Sequence, residues 1–98
     1  MKKLLFLLMM YPLFGTSQNW NQVSNFIEDG RHHPITFAND NYGFVVAGSY
    51  LNDVYKYDKL NDLWTQLQDF PAAGRGYSYG VTVGNKAYMG LGSTSNGL

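Results

Sequence analysis

The sequence repeats itself at a fixed distance. Residues 20–54 laid on residues 64–98, an offset of 44 with no gap, agree at nine of 35 positions, where unrelated sequences of ordinary composition give roughly two. The identities are Trp20/Trp64, Gln22/Gln66, Phe26/Phe70, Gly30/Gly74, Arg31/Arg75, Asn41/Asn85, Gly48/Gly92, Ser49/Ser93 and Asn52/Asn96. Val23/Leu67, Phe44/Tyr88 and Val45/Met89 keep their apolar character in the same register. A tandem repeat of this length is one supersecondary unit that hides its apolar faces against neighbouring units, so stability comes from stacking rather than from a single closed core.

Within one unit, turn signals separate four strands. The first is expected from about His33 to Asn39, the second from Tyr42 to Gly48, the third from about Asp53 to Asp58 and the fourth from Leu63 to Leu67. Asp40-Asn41, and Gly84-Asn85 in the next unit, are residue types that accept the positive φ of two-residue hairpin turns. Asp58 and Asp62 flank the polar turn Lys59–Asp62, where Asp commonly caps. Phe44-Val45-Val46-Ala47 is continuously apolar and predicts a strand buried on both faces. The outer strands Val54–Tyr57 and Leu63–Leu67 mix polar with apolar residues and predict a wetter edge. The fold class is therefore all-β, with antiparallel four-stranded units.

Four strands in 40–50 residues is the pattern of a β-propeller blade. The Gly-His and Trp-Asp dipeptides of WD-type repeats do not occur. The unit instead carries Arg31, Ala47-Gly48, Tyr57-Asp58 and Trp64, and in this it resembles the kelch repeat, whose pattern closes strand two with a diglycine, places a Tyr before the strand-three turn and opens strand four with a Trp. It departs from that pattern where Ala47 and Leu91 replace the first glycine. The resemblance spans nearly all of residues 18–98. It implies kelch propeller blades, about one and a half of them, with the ring not closed: a lone outer strand and connecting loop over 18–30, with the strand at Trp20–Val23, a complete repeat over 31–68 and a partial second repeat over 69–98. The remaining blades would then belong to a longer chain. On this reading Trp20 and Trp64 fill space between blades, and Arg31 and Arg75 tie one blade to the next.

Composition narrows the function classes. The chain has no cysteine, which excludes disulfides, Cys-ligated metals and a Cys nucleophile. Lys2-Lys3, an apolar run from Leu4 to Gly15 broken only by Pro12, and the small residues Gly15-Thr16-Ser17 form the layout of a secretory signal peptide over residues 1–17, with cleavage expected at Ser17|Gln18. The run is short for a membrane span, so export to the periplasm, cell surface or medium is expected, with no membrane insertion after the leader is removed. Without the leader, five basic and seven acidic residues remain. That mildly acidic balance offers no footprint for nucleic acid.

No cofactor or catalytic constellation stands out. His32-His33 is expected to place its two rings on opposite faces of a strand, which disfavours a shared metal, and no third ligand stands at a recognisable spacing. Glu28-Asp29 has Ala72-Ala73 as its counterpart. There is no Ser/His/Asp pattern, phosphate-binding loop or basic aromatic patch. Kelch propellers include copper oxidases acting on galactose, with Tyr and His ligands and a Tyr crosslinked to Cys. They also include sialic-acid epimerases. The missing cysteine leaves the first chemistry unassigned to this chain, and no motif matches the second. Binding of a protein or glycan is the leading expectation, and part of a carbohydrate-acting kelch enzyme is the alternative. Loops entering strand one and leaving strand two emerge at one end of a blade, and such loops carry function on rigid scaffolds. Arg31, His32, His33 and Tyr77 are the ligand-face candidates at that end.

Overall fold

A computed structural model describes residues 18–97. The leader expected over residues 1–17 lies outside the described residues. Eight strands and no helix occur among them: β1 (Ile35–Ala38), β2 (Tyr42–Gly48), β3 (Leu51–Asp58), β4 (Leu63–Leu67), β5 (Arg75–Gly76), β6 (Tyr79–Val83), β7 (Lys86–Gly90) and β8 (Ser93–Thr94). The protein is all-β, with antiparallel pairing throughout.

The first unit is a four-stranded sheet in the order β1-β2-β3-β4. Its turns are built by short polar side chains. Asn39 Oδ1 accepts the amides of Asn41 (3.0 Å) and Tyr42 (2.8 Å), closing the β1–β2 hairpin. Asp58 Oδ1 accepts the amides of Leu60 (2.9 Å) and Asn61 (3.2 Å) in the β3–β4 turn. The positive φ expected at Asp40-Asn41 is absent, because Asn39 shapes that turn through an Asx-type bridge. It occurs instead between β2 and β3, where Ser49 (φ 47°) and Tyr50 (φ 62°) form the two-residue left-handed turn under the Gly48–Leu51 pair. In unit two Gly84 (φ 61°) does take the left-handed region.

The 44-residue offset is reproduced in the backbone. β1 pairs with β2 through Ile35–Val46, Thr36–Val45, Phe37–Phe44 and Ala38–Gly43, and β6 pairs with β7 through the four equivalent pairs, Tyr79–Gly90 to Thr82–Ala87. Ala47 and Gly48 take φ 57° and 88°, and Leu91 and Gly92 take 62° and 79°. A Cβ at Gly48 would press on Pro34 and His32, and one at Gly92 would press on their counterparts Ser78 and Gly76. Glycine at this repeat position is thus required twice by the same close approach.

The core lies between the units. Ile35, Val46 and Ala47 are buried, with Phe37, Val54, Phe70 and Met89 packed against them. Register explains the membership: Val46 is opposite Val54, so both point to the face that meets unit two, whereas Val45 and its partner Tyr55 point to the other face. The bulge between Val46 and Gly48 turns Ala47 inward beside Val46. Phe44 and Val45 are only partly buried, so the strand expected to be covered on both faces is fully covered only at its Val46–Gly48 end. β6 runs beside β1, and Thr82 Oγ1 donates to the Ala38 carbonyl (3.2 Å). Gly80 makes that approach feasible, since a Cβ there would strike the Ile35 methyl.

The opposite face of unit one is covered by residues 24–31. Phe26 packs edge-on against Tyr55 and Trp64, with ring centroids 4.9 and 5.0 Å apart. Trp64 Nε1 donates to the Ser24 carbonyl (3.1 Å), and the Ser24 amide donates to Asp62 Oδ1 (2.8 Å). The sequence places a lone strand at Trp20–Val23; the structure has none there. Trp20 is 96% exposed, unlike the partly buried Trp64. Strand pairing and burial both require a neighbour, and no described strand runs beside residues 20–23 as β3 runs beside β4.

Candidate functional site

The loops before β1 and after β2, with their unit-two counterparts before β6 and after β7, bring the four expected residues into one region but give them two roles. Arg31 belongs to the scaffold. Its Nη1 and Nη2 form a fork with the Asp53 carboxylate (2.5 and 3.1 Å), Nη1 also donates to the Ala47 carbonyl (3.2 Å), and its side chain is only 6% exposed. The guanidinium lies over the Phe26 and Tyr55 rings at 4.9 and 5.3 Å. The Asp53 hydrogen bond raises the Arg31 pKa above its usual value, so it is a permanent cation. Arg31 is therefore removed from the ligand face. Its bonds also stay within its own unit, which corrects the expectation that it ties blade to blade.

Arg75 repeats half of this arrangement. It stacks on Phe70 at 5.1 Å and its Nη1 donates to the Leu91 carbonyl at 3.2 Å, the same two contacts at the same sequence spacings. Its Nε donates to the Ala73 carbonyl (3.1 Å). The position equivalent to Asp53 is Gly97, so no carboxylate meets this arginine among the described residues.

His32, His33 and Tyr77 gather at the exposed end. The Nδ1 atoms of His32 and His33 are 2.9 Å apart, so one ring donates and the other accepts. The two rings expected on opposite faces meet because His33 is not in a strand: its φ of 54° folds it back on its neighbour. The His33 ring stacks on Tyr77, centroids 3.8 Å apart. These two residues are equivalent positions of successive units, and Tyr77 shares the left-handed backbone at φ 58°. In both units the residues on either side, His32 and Pro34 or Gly76 and Ser78, lie close against the repeat's glycine, Gly48 or Gly92.

Sequence reasoning missed Tyr50. Its ring lies 6.3 Å from that of His32, and its carbonyl sits against Gly74, where any Cβ would collide with it. The left-handed turn at Ser49-Tyr50 turns this aromatic side chain toward solvent, 43% exposed; its position in the loop leaving strand two was the available signal. Ser49 adds a rigid link, with its Oγ accepting the His32 amide (3.1 Å) and its own amide donating to the His32 carbonyl (2.9 Å).

Among the described residues no three His, Cys, Asp or Glu side chains come close enough to hold a metal ion. What the cluster offers is aromatic surface with ring nitrogens and phenolic hydroxyls at its rim. It is a platform, not a cleft: a hollow of about 230 Å³ lies between the units around Phe37, Val46 and Met89, and one of about 470 Å³ lies on the β6–β7 hairpin, and neither includes these residues. No protein-family model, no curated protein and no solved structure matches the chain.

Proposed function

We propose that this chain supplies kelch-type blades to an exported propeller and that its His32–His33–Tyr77 end, with Tyr50, binds a protein or glycan ligand without catalysis. The observation that carries the binding reading is the exposed His33–Tyr77 stack, which spans two successive units at equivalent positions. Stacked rings held by a rigid backbone offer a large contact area at low entropic cost, and phenol and imidazole edges add hydrogen bonding. The kelch reading is supported by the 44-residue register, by Trp64 next to Tyr57 across β3 and β4, and by the glycine at the end of β2.

The test is binding of the full chain to an immobilised panel of neutral and acidic oligosaccharides and of unstructured peptides, with Tyr77→Ala and His33→Ala as variants. Retention on at least one member, lost by about tenfold or more in either variant, is the expected result for an aromatic anchor. Retention that survives both substitutions would place the ligand surface elsewhere.

A further inference from the structure

We infer that His32 and His33 form a two-nitrogen site for a divalent cation that takes its ligands at right angles, as tetragonal Cu(II) and Ni(II) do. Their Nδ1 atoms are 2.9 Å apart. A metal bound about 2.0–2.1 Å from each nitrogen sets the pair about 2.9 Å apart at a right angle, and about 3.3 Å apart at the tetrahedral angle that zinc prefers. Without a metal, one ring donates its Nδ1 proton to the other nitrogen. With a metal, that proton moves to the same ring's Nε2, both Nδ1 lone pairs become ligands, and no proton leaves the neutral pair. A small turn of each ring about its Cβ–Cγ bond, a torsion with a broad minimum, brings the two lone pairs to one point.

The pair is not part of the repeat. Its counterparts in unit two are Gly76 and Tyr77. Tyr77 takes the same left-handed backbone, at φ 58° against 54° for His33. The repeat thus supplies a backbone that folds neighbouring residues together, and only unit one places two imidazoles on it. Both imidazoles are held from behind. Ser49 clasps the His32 main chain, its Oγ accepting the amide at 3.1 Å and its own amide donating to the carbonyl at 2.9 Å. Tyr77 stacks on the His33 ring at 3.8 Å. Ligands fixed in this way lose little freedom on binding, which distinguishes a site from two adjacent histidines in a loose chain. Both residues are exposed, and no third His, Cys, Asp or Glu side chain joins them among the described residues. The remaining coordination positions go to water.

The probe is Cu(II), titrated into the full chain and followed by electron paramagnetic resonance. A single equivalent should bind, with an axial spectrum split by two imidazole nitrogens. His32→Gln and His33→Gln should each weaken binding by about tenfold or more and leave coupling to one imidazole. A capped peptide of residues 29–36 carries the same two histidines without the fold, and should bind about tenfold or more weakly than the chain. Equal affinity of peptide and chain overturns the proposal, as does a two-nitrogen spectrum that survives either substitution. The peptide comparison changes no residue of the chain, so a misfolded variant cannot imitate its result. Copper binding is read without a protein or glycan ligand, so its failure and the failure of the binding reading at this end are separate outcomes.

Discussion

Two arginines 44 residues apart show how a single neighbour changes what a side chain can do. Arg31 has lost nearly all contact with water and has a carboxylate, a carbonyl and two aromatic faces in exchange. Arg75 has the carbonyl and the aromatic face but no acid among the described residues. Asp62 works at the same scale. The Ser24 amide and the Tyr57 hydroxyl hold its carboxyl below the usual carboxylate range. Because the folded carboxylate holds its proton less tightly than the unfolded one, its contribution is complete above the unfolded value and disappears as pH falls through the folded value. Residues 24–31 should therefore loosen from unit one on acidification below about pH 4. A red shift of Trp64 fluorescence is the readout, measured in a Trp20→Phe background. In Asp62→Asn the acid-dependent step should vanish, and its persistence would assign the anchor to another group.

At the scale of the element, a strand signal and a strand are separable. β2 and β4 have the bounds that the sequence predicts, because turns flank β2 and precede β4 and their apolar residues fit a half-covered sheet. β1 begins later than His33, since His33 is left-handed, and β3 begins earlier than Asp53, since the tight Ser49-Tyr50 turn brings Leu51 straight into the ladder. Trp20–Val23 carries the same residue pattern as Trp64–Leu67 and forms no strand. Trp64→Ala should then lower stability by about 2–3 kcal/mol, the low end for truncating a large aromatic because the ring is only partly buried. Trp20→Ala should change it by less than about 0.5 kcal/mol. Urea midpoints of the two variants provide the check, and equal losses would mean that Trp20 has a partner after all.

For the whole molecule, contact between units decides stability. The buried cluster of Ile35, Val46 and Ala47 is completed by Phe70 and Met89 from beyond the first unit. The corresponding face of unit two is open, with Tyr79 75% and Val81 56% exposed. Gly80→Val places a branched side chain against the Ile35 methyl and Phe37, so β6 must move away from β1. Overpacking of this kind costs about 1–3 kcal/mol. Hydrogen exchange should accelerate throughout β6–β7 in this variant while the β2–β3 ladder stays protected. Uniform acceleration in both would mean that the units do not open separately.

Residue order alone determined the all-β class with antiparallel pairing, the 44-residue period and the bounds of β2 and β4. These follow from turn chemistry and from alternation along a strand, which act over a few residues and recur wherever the pattern recurs. Tertiary structure alone decided that Trp64 is packed and Trp20 is not, that Arg31 is neutralised and Arg75 is not, that Tyr50 joins the exposed cluster, and that the two histidine rings meet. Equivalent residues diverge there because burial and charge pairing depend on what stands across the interface, and that neighbour is supplied by chain distant in sequence.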